Sequence, residues 1–181
     1  MRWPAPSEPA ITLGDLSLRH AGPGDIPALQ AMFSADDAFF ELTEGAPARP
    51  DEAAVLLTEI PPEVTVDRKG IYVVHARGEL AGVVEFIAGY PDAATYYLGL
   101  LYVEPGARGH GYGEQLIAAL QAHILARGGS KLRLAVTVTN TSARRLYDRL
   151  GFAPVAMARR PRTTWNGAVI EVDVLELALQ A

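Results

Sequence analysis

The chain has 181 residues, of which 49% are hydrophobic and 20% charged, and its formal net charge is -5. This length and balance are typical of one soluble globular domain, and the negative charge argues against a nucleic-acid partner, which usually requires a basic face. The absence of cysteine excludes disulfides, thiolate zinc sites and a cysteine acyl-enzyme intermediate.

The first part of the chain predicts a tail, a strand and short helices. Residues 1–15 carry three prolines and are expected to form a loose N-terminal tail, with residues 16–181 as a single domain. The alternation from Leu16 to Arg19 predicts a strand. Asp25 stands at an N-cap position before apolar residues at helical spacing, and a short helix is expected near Asp51 to Glu59.

Three strands are predicted in the middle of the chain. Ile71 to Ala76 and Ala81 to Tyr90 are β-branched or aromatic runs, and the turn Arg77-Gly78-Glu79 joins them as a hairpin. Tyr96 to Val103 is a third apolar run, which ends before Pro105.

The last third alternates between helix and strand. An amphipathic helix follows the third strand and ends at Gly128-Gly129. Leu132 to Val138 alternates as a strand, and Asn140 opens a second helix that Gly151 closes. Asn166-Gly167 is a hairpin signal between two final strands. The order of elements predicts a mixed α/β domain whose sheet is mostly antiparallel.

The loop Arg108-Gly109-His110-Gly111-Tyr112-Gly113 separates the third strand from the amphipathic helix. Glycines at alternate positions let the backbone approach a ligand and adopt positive φ. The first N–H groups of a helix lack internal partners and carry partial positive charge, and Arg108 adds a charged fork. Together these features predict a diphosphate site, with an unliganded tight turn as the alternative.

The spacing of residues in this loop excludes two other phosphate-binding motifs. A dinucleotide fingerprint that begins at Gly109 and Gly111 requires a third glycine where Glu114 stands. A Walker loop requires Lys followed by Ser or Thr after the last glycine, whereas Glu114-Gln115 follow Gly113. A nicotinamide-dependent oxidoreductase and a P-loop nucleotidase are therefore not predicted.

The glycine-rich loop resembles the Arg/Gln-x-x-Gly-x-Gly/Ala signature of the GNAT superfamily of N-acetyltransferases. Val103-x-Pro105 before the loop and Asn140-x-x-Ala143-x-x-Leu146-Tyr147-x-x-Leu150-Gly151-Phe152 after it extend the likeness. With the opening Leu18-Arg19-His20-Ala21, the resemblance covers roughly residues 16 to 179. It implies a GNAT-like fold in which two parallel strands splay apart around the pantetheine arm of acetyl-CoA.

The resemblance also implies which residues bind coenzyme A. The N–H groups near Leu101 and Val103 would bind the pantetheine, and that of Leu101 would hold the thioester oxygen as charge develops. Asn140 would contact the pantetheine in addition to capping its helix. Gly99 fits the bulge usual in this strand, with close packing as the alternative. The predicted cofactor-binding residues are Leu101, Tyr102, Val103, Arg108, Gly109, His110, Gly111, Tyr112, Gly113 and Asn140.

Two residues are candidates for proton transfer. Tyr147 stands where the family commonly has a tyrosine that protonates the leaving thiolate, although its position on an apolar helix face also fits a core residue. Glu85 interrupts an apolar strand, where a carboxylate is costly unless it is paired or faces a cleft. Burial would raise the pKa of Glu85 and suit it to act as a base. An ion pair or an edge position is the alternative, and the acidic residue often present in the family's fourth strand is absent here.

The acceptor is expected to be a primary amine, most simply of a small molecule. Asp36-Asp37-Ala38-Phe39-Phe40-Glu41 combines acidic and aromatic residues that suit a cationic amine, with a mobile solvated loop as the alternative. Two other functions stay open: a non-catalytic acyl-CoA-binding or sensing module, and acetylation of a protein N-terminus or lysine.

Location and partners follow from what the sequence lacks. The start Met1-Arg2-Trp3-Pro4 has no apolar run of the signal-peptide kind, and no segment approaches the ~20 apolar residues of a membrane span. We therefore expect a cytoplasmic protein with no membrane partner. The four histidines lack metal-ligand spacing, so no metal is predicted. Val169 to Leu179 is long enough to pair at a sheet edge, which would support a homodimer.

Overall fold

The computed structural model describes residues 3–180. They form an eight-stranded sheet in the order β1–β2–β3–β4–β5–β6–β8–β7. The strands are β1 (Ile11–Leu13), β2 (Leu16–His20), β3 (Lys69–Ala76), β4 (Glu79–Ala88), β5 (Thr95–Val103), β6 (Lys131–Thr137), β7 (Ala153–Thr163) and β8 (Val169–Ala178). The α-helices are α1 (Ile26–Ser34), α2 (Asp37–Glu44), α3 (Glu52–Thr58), α4 (Tyr112–Ala126) and α5 (Thr141–Arg149). Short 3-10 helices cover Pro23–Asp25, Val66–Arg68 and Pro105–Ala107.

Helices cover both faces of the sheet, and the central strands therefore bury side chains on both faces. In β3, Tyr72 and Val74 join the core cluster that contains α4 and α5, whereas Ile71 and Val73 join the cluster of α1, α2 and α3. Between residues 3 and 180, no helix combines the length and hydropathy that a membrane span requires.

The sheet confirms the predicted fold class. Within the described chain, β5 and β6 are the one parallel pair, and every other neighbouring pair is antiparallel. The parallel pairing begins at Thr95 opposite Lys131 and ends at Leu98 opposite Leu134. Beyond Leu98 both strands continue without pairing to each other, so they splay apart as expected.

The bulge predicted in β5 is also present. Phe86 of β4 faces Leu98, but the preceding residue Glu85 faces Leu100. Gly99 is therefore the extra residue of the bulged strand. The bulge lies where β5 leaves its parallel partner, so the change of register and the splay share one position.

The expectation of a loose N-terminal tail was wrong for the described residues. Trp3 is fully buried, and its backbone N–H donates to Nδ1 of His123 at 2.8 Å. The indole ring meets Tyr72 edge-on, with 4.8 Å between centroids. A single large aromatic side chain thus anchors this segment against α4, despite the surrounding prolines.

One alternative and one further expectation need correction. The segment Asp37–Glu44, for which a mobile solvated loop was the alternative, forms helix α2. The last strand, β8, lies between β6 and β7, so both of its edges are already paired and it cannot pair outward with a second copy. The edge strand at this end of the sheet is β7 instead, because the Asn166-Gly167 hairpin folds it against the outer side of β8.

Candidate active site

The glycine-rich loop forms the start of α4. Gly109 and Gly111 have φ values of 82° and 75°, a left-handed conformation that favours glycine. Gly111 is the N-cap residue, and no side chain among residues 3–180 caps the helix there. The first-turn N–H groups therefore point toward an open surface. A Cβ at Gly113 would lie 3.4 Å from Cδ2 of Leu146. Glycine at this position therefore leaves the backbone uncovered while α4 packs close to α5.

A cleft of about 600 Å³ opens in front of this loop, and we call it the cofactor cleft. It runs from the start of α4 along the free end of β5 to the start of α5. Eight of the ten residues predicted to bind the cofactor line it: Leu101, Val103, Arg108, Gly109, Gly111, Tyr112, Gly113 and Asn140.

The side chains of Tyr102 and His110 are not among the residues that line this cleft. Tyr102 is fully buried on the opposite face of β5, because side chains alternate along a strand. Its hydroxyl donates to Oδ2 of Asp36 at 3.0 Å. His110 is exposed and stacks on the ring of Tyr112, with 5.5 Å between centroids. Of the ten predicted cofactor-binding residues, these are the two that do not line the cleft.

Arg108 lies at the cleft but is already engaged by protein groups. Its guanidinium forms an ion pair with Asp36, and its Nε donates to the carbonyl of Val103 at 2.8 Å. Asp36 also caps α2, since its Oδ1 accepts from the N–H of Phe39 at 3.2 Å. Arg108 consequently ties the glycine-rich loop to the end of β5 and to the start of α2, a role that the sequence pattern did not suggest.

A second cleft, of about 620 Å³, lies on the face of the sheet that carries α2 and α3, and we call it the acceptor cleft. Aromatic rings of Phe39 and Phe40 line it, together with four glutamates. Two of the glutamates are paired within the cleft: Glu44 with Arg162 at 2.8 Å, and Glu52 with Arg49 at 2.9 Å. The other two also have cationic partners, because Glu59 lies 3.8 Å from Arg49 and Glu85 lies 3.7 Å from Lys69.

The two clefts meet at the gap between the splayed strands. Both are lined by the same five residues: Phe39, Leu101, Asn140, Ala143 and Tyr147. Residues of β5 and β6 on either side of the gap line the acceptor cleft. The two clefts therefore adjoin at the splay, and a ligand in one cleft can contact a ligand in the other at this point.

Tyr147 lies at the junction. Only 9% of it is exposed, and its ring packs against Phe152 with 5.4 Å between centroids. Burial raises the pKa of Tyr147 to about 12, so the hydroxyl stays protonated at neutral pH. It forms no hydrogen bond with residues 3–180. A protonated donor without a partner is available to a ligand.

Asn140 begins the helix that presents Tyr147. Its Oδ1 accepts from the N–H of Ala143 at 3.0 Å, which confirms the predicted N-cap. The side-chain amide nitrogen is not used by the cap, and Asn140 lines both clefts. Capping and ligand contact are therefore compatible in this residue.

Glu85 is buried, with 6% exposure, and it lines the acceptor cleft. Oε1 lies 3.7 Å from Nζ of Lys69. Burial raises the pKa of Glu85 to about 7, although the attraction of Lys69 opposes the shift. The prediction that Glu85 lies at a cleft and the alternative that it forms an ion pair are both correct. Glu85 lines the acceptor cleft and also has a cationic partner in Lys69.

Lys69 and Arg149 are site residues that the sequence analysis missed. Arg149 lines the mouth of the cofactor cleft, and its Nε donates to Oε1 of Glu114 at 3.0 Å, which partly neutralises the acidic residue in the first turn of α4. Their partners are distant in sequence, so the pairing has no local pattern. Lys69 had a usable signal: the hairpin after β3 places it opposite Ile87, two residues from Glu85.

Fold, loop and clefts agree with the sequence profile of the Acetyltransferase (GNAT) family, which matches residues 29–152. The chain belongs to this family. The match covers the acceptor-side helices, the bulged strand, the glycine-rich loop and the helix of Tyr147.

Particular relatives extend the comparison. Mycothiol acetyltransferase from Beutenbergia cavernae is 34% identical over 113 residues, 61% of this chain and 38% of that enzyme. The match thus spans less than half of this relative's length. The structure of an acetyl transferase from Salmonella typhimurium that modifies the N-terminal serine of ribosomal protein L7/L12 shares the fold, with a TM-score of 0.76, 20% identity and coverage of 95% and 100% of the two chains. Spermidine N-acetyltransferase from Vibrio cholerae, in complex with CoA and spermine, has a TM-score of 0.69 at 20% identity and coverage of 91% and 95%.

Proposed function

We propose that this protein transfers the acetyl group of acetyl-CoA directly to a primary amine, and that the amine belongs to a small molecule. The observation that carries the proposal is the junction of the two clefts at Tyr147. A thioester in one cleft and an amine in the other would meet there without a covalent enzyme intermediate. The absence of cysteine agrees with such a ternary complex.

The cofactor cleft suits coenzyme A in shape and charge. The diphosphate would lie against the uncapped N–H groups at the start of α4, where the helix dipole favours an anion. Gly109, Gly111 and Gly113 leave room for its close approach. The pantetheine would then run along the free edge of β5, where the strand no longer pairs with β6 and its outward N–H groups can donate to amides.

Acetyl-CoA would supply the activated acyl group, and the side chains of this protein would manage two protons. Glu85 would accept a proton from the substrate ammonium, directly or through water, which frees the nitrogen lone pair to attack the thioester carbonyl. The C–N bond forms as the C–S bond breaks, and the N–H of Leu101 would donate to the carbonyl oxygen as it gains charge.

Tyr147 would donate its hydroxyl hydrogen to the departing thiolate. A phenol with a pKa of about 12 is a weak acid beside a thiol in water, for which the pKa is ~8.5. The same burial raises the pKa of the thiolate, so a hydrogen bond forms first and proton transfer follows as the thiolate loses its solvent. The proton lost by the acetylated nitrogen restores the phenol.

Features of the acceptor cleft favour a small amine. Aromatic rings and glutamates together bind organic cations, and a volume of about 620 Å³ is in the range of small-molecule sites. A protein N-terminus is the second candidate, which the structural neighbour that modifies L7/L12 suggests. The cleft is also open enough at the side of Glu59, whose side chain is 70% exposed, to admit a peptide end.

The test is release of free coenzyme A thiol from acetyl-CoA in the presence of two matched panels, one of small primary amines and one of short peptides with free N-termini. We expect turnover with at least one small amine and weaker turnover with peptides. Turnover with peptides alone would replace the small-molecule acceptor with a protein. Tight binding of coenzyme A without thiol release in either panel would favour a binding module.

A further inference from the structure

Lys69 is a buried cation in the acceptor cleft. The chain contains only two lysines, Lys69 and Lys131, among its 16 basic residues. The side chain of Lys69 is 6% exposed, whereas that of Lys131 is 39% exposed and pairs with Asp92 outside both clefts. A buried ammonium is costly unless a negative group or a hydrogen-bond acceptor satisfies it.

Two groups hold the ammonium of Lys69 in place. Its Nζ donates to the carbonyl oxygen of Glu59 at 2.5 Å, at the residue that caps the end of α3. It also lies 3.7 Å from Oε1 of Glu85. Lys69 thereby links the end of α3 to the adjacent strands β3 and β4 at the floor of the cleft.

Gly99 confines the carboxylate from the other side. Oε2 of Glu85 fills the space that a Cβ at position 99 would occupy. One carboxylate oxygen thus faces Lys69 and the other faces the bulge in β5. Lys69 on one side and the bulge on the other therefore limit the rotation of the carboxylate.

Other charged and titratable groups face this region from neighbouring elements. Tyr97 from β5, Tyr147 from α5, Glu59 from the end of α3, and the Glu44–Arg162 pair from α2 and β7 all line the cleft. The attraction that acts on the carboxylate of Glu85 comes from Lys69, since the two arginines that line the cleft, Arg162 and Arg49, pair with Glu44 and Glu52. Lys69 is therefore the cation that controls the charge of Glu85.

We propose that Lys69 is a positioning residue for the proton acceptor: its ammonium fixes the carboxylate of Glu85 beside Gly99 and keeps it in the charged form that accepts a proton. The proposal rests on the proposed function, because it gives Lys69 a role only if Glu85 takes the proton. Lys69 itself does not contact the reacting atoms in this scheme. Its contribution is the pH range over which the base works.

The test compares the pH dependence of kcat/KM for the wild type, Lys69→Met, Lys69→Gln and the matched control Lys131→Met. In the wild type, activity should rise with a midpoint near 7, the pKa of Glu85. Loss of an adjacent cation should move this midpoint upward by about 1–3 pH units. At pH 7 that shift corresponds to an activity loss of roughly five- to 500-fold, whereas Lys131→Met should titrate like the wild type.

A second readout does not depend on turnover. The 13Cδ chemical shift of Glu85 is followed by NMR in the free protein, assigned by its disappearance in Glu85→Gln. The midpoint should move upward in Lys69→Gln, which keeps a donor for the carbonyl of Glu59, and Lys69→Arg should restore it. Lys69→Gln also serves if Lys69→Met does not fold.

The outcomes separate the two proposals. If Glu85→Gln retains full activity, Glu85 is not the proton acceptor, and the proposed role of Lys69 is overturned as well. If Glu85→Gln is inactive but both lysine variants keep the wild-type midpoint in activity and NMR, only the role of Lys69 is overturned. A uniform fall in kcat without a shift of midpoint would mean that Lys69 acts through packing, which also overturns it.

Discussion

Oε2 of Glu85 occupies the space that a side chain at position 99 would need. Gly99 does not have a positive φ, so glycine is required here for space and not for backbone freedom. The β5 bulge and the buried carboxylate are therefore one structural unit. Its location, where β5 parts from β6, links the geometry of the sheet to the candidate base.

Gly99→Ala should displace the carboxylate of Glu85. A misplacement of about 1 Å in a catalytic group can cost on the order of 10²-fold in rate, so we expect a loss of that size in kcat/KM with coenzyme A affinity retained. Gly24→Ala is the matched control, because a Cβ there has open space and no strained φ. Wild-type kcat/KM in Gly99→Ala would show that the carboxylate does not need this position.

Glu85→Gln should stabilise the protein at high pH. Because the pKa of Glu85 is raised from 4.5 to about 7, its neutral form favours the folded state. That contribution is complete below pH 4.5 and is lost as the pH rises through 7. The variant should therefore unfold like the wild type near pH 4 and gain up to about 3 kcal/mol at pH 8.

Urea unfolding at the two pH values measures this difference. Glu79→Gln is the control, since Glu79 is exposed in the same strand. An equal free energy of unfolding for Glu85→Gln and the wild type at pH 8 would mean that burial does not penalise the charged carboxylate.

Gly111→Ala should weaken coenzyme A binding. A left-handed residue with a Cβ costs roughly 1–2 kcal/mol, and here the strain falls on the loop that presents the helix N–H groups. The dissociation constant should rise by about tenfold. Gly128→Ala, at the other end of α4 with a φ of 78° and open space at the Cβ, should lose similar stability and bind normally. Affinity for coenzyme A is measured by calorimetry. Equal affinities in the two variants would show that the glycine-rich loop does not bind coenzyme A.

Asp36→Ala should destabilise the protein more than Asp37→Ala. Asp36 is buried, caps α2 and accepts from Tyr102 and Arg108. Removing it leaves donors without an acceptor, at a cost of about 1–3 kcal/mol. Asp37 is the exposed neighbour and should change little. Thermal and urea unfolding should also show Asp36→Asn between the two, because the amide oxygen still caps the helix.

Local sequence signals predicted the elements of the site that depend on the backbone. The turn from β5 into α4 follows from its glycines, and the Asn140 cap follows from the residues after it. The Gly99 bulge was expected from the family likeness and was confirmed by the register of β4 and β5. In each case the chemistry lies within a few residues of the feature.

Contacts between distant segments were not predictable in the same way. Trp3 finds its pocket on α4, 120 residues away, and proline content gave the opposite expectation. Nothing in the sequence indicated that Arg108 is already paired. Its partner Asp36 lies 72 residues earlier, and no local sequence pattern links the two residues. Helix α2 was missed because its 8 residues are too few to show a repeated helical period in the sequence.

The position of Tyr147 where the two clefts meet is the centre of this account. The most direct measurement is kcat for thiol release by Tyr147→Phe beside its affinity for coenzyme A. Phe keeps the ring packing against Phe152, so affinity should not change, while loss of the proton donor should lower kcat by about 10²–10⁴-fold. An unchanged kcat in this variant would contradict the assignment of the junction as the place of acetyl transfer.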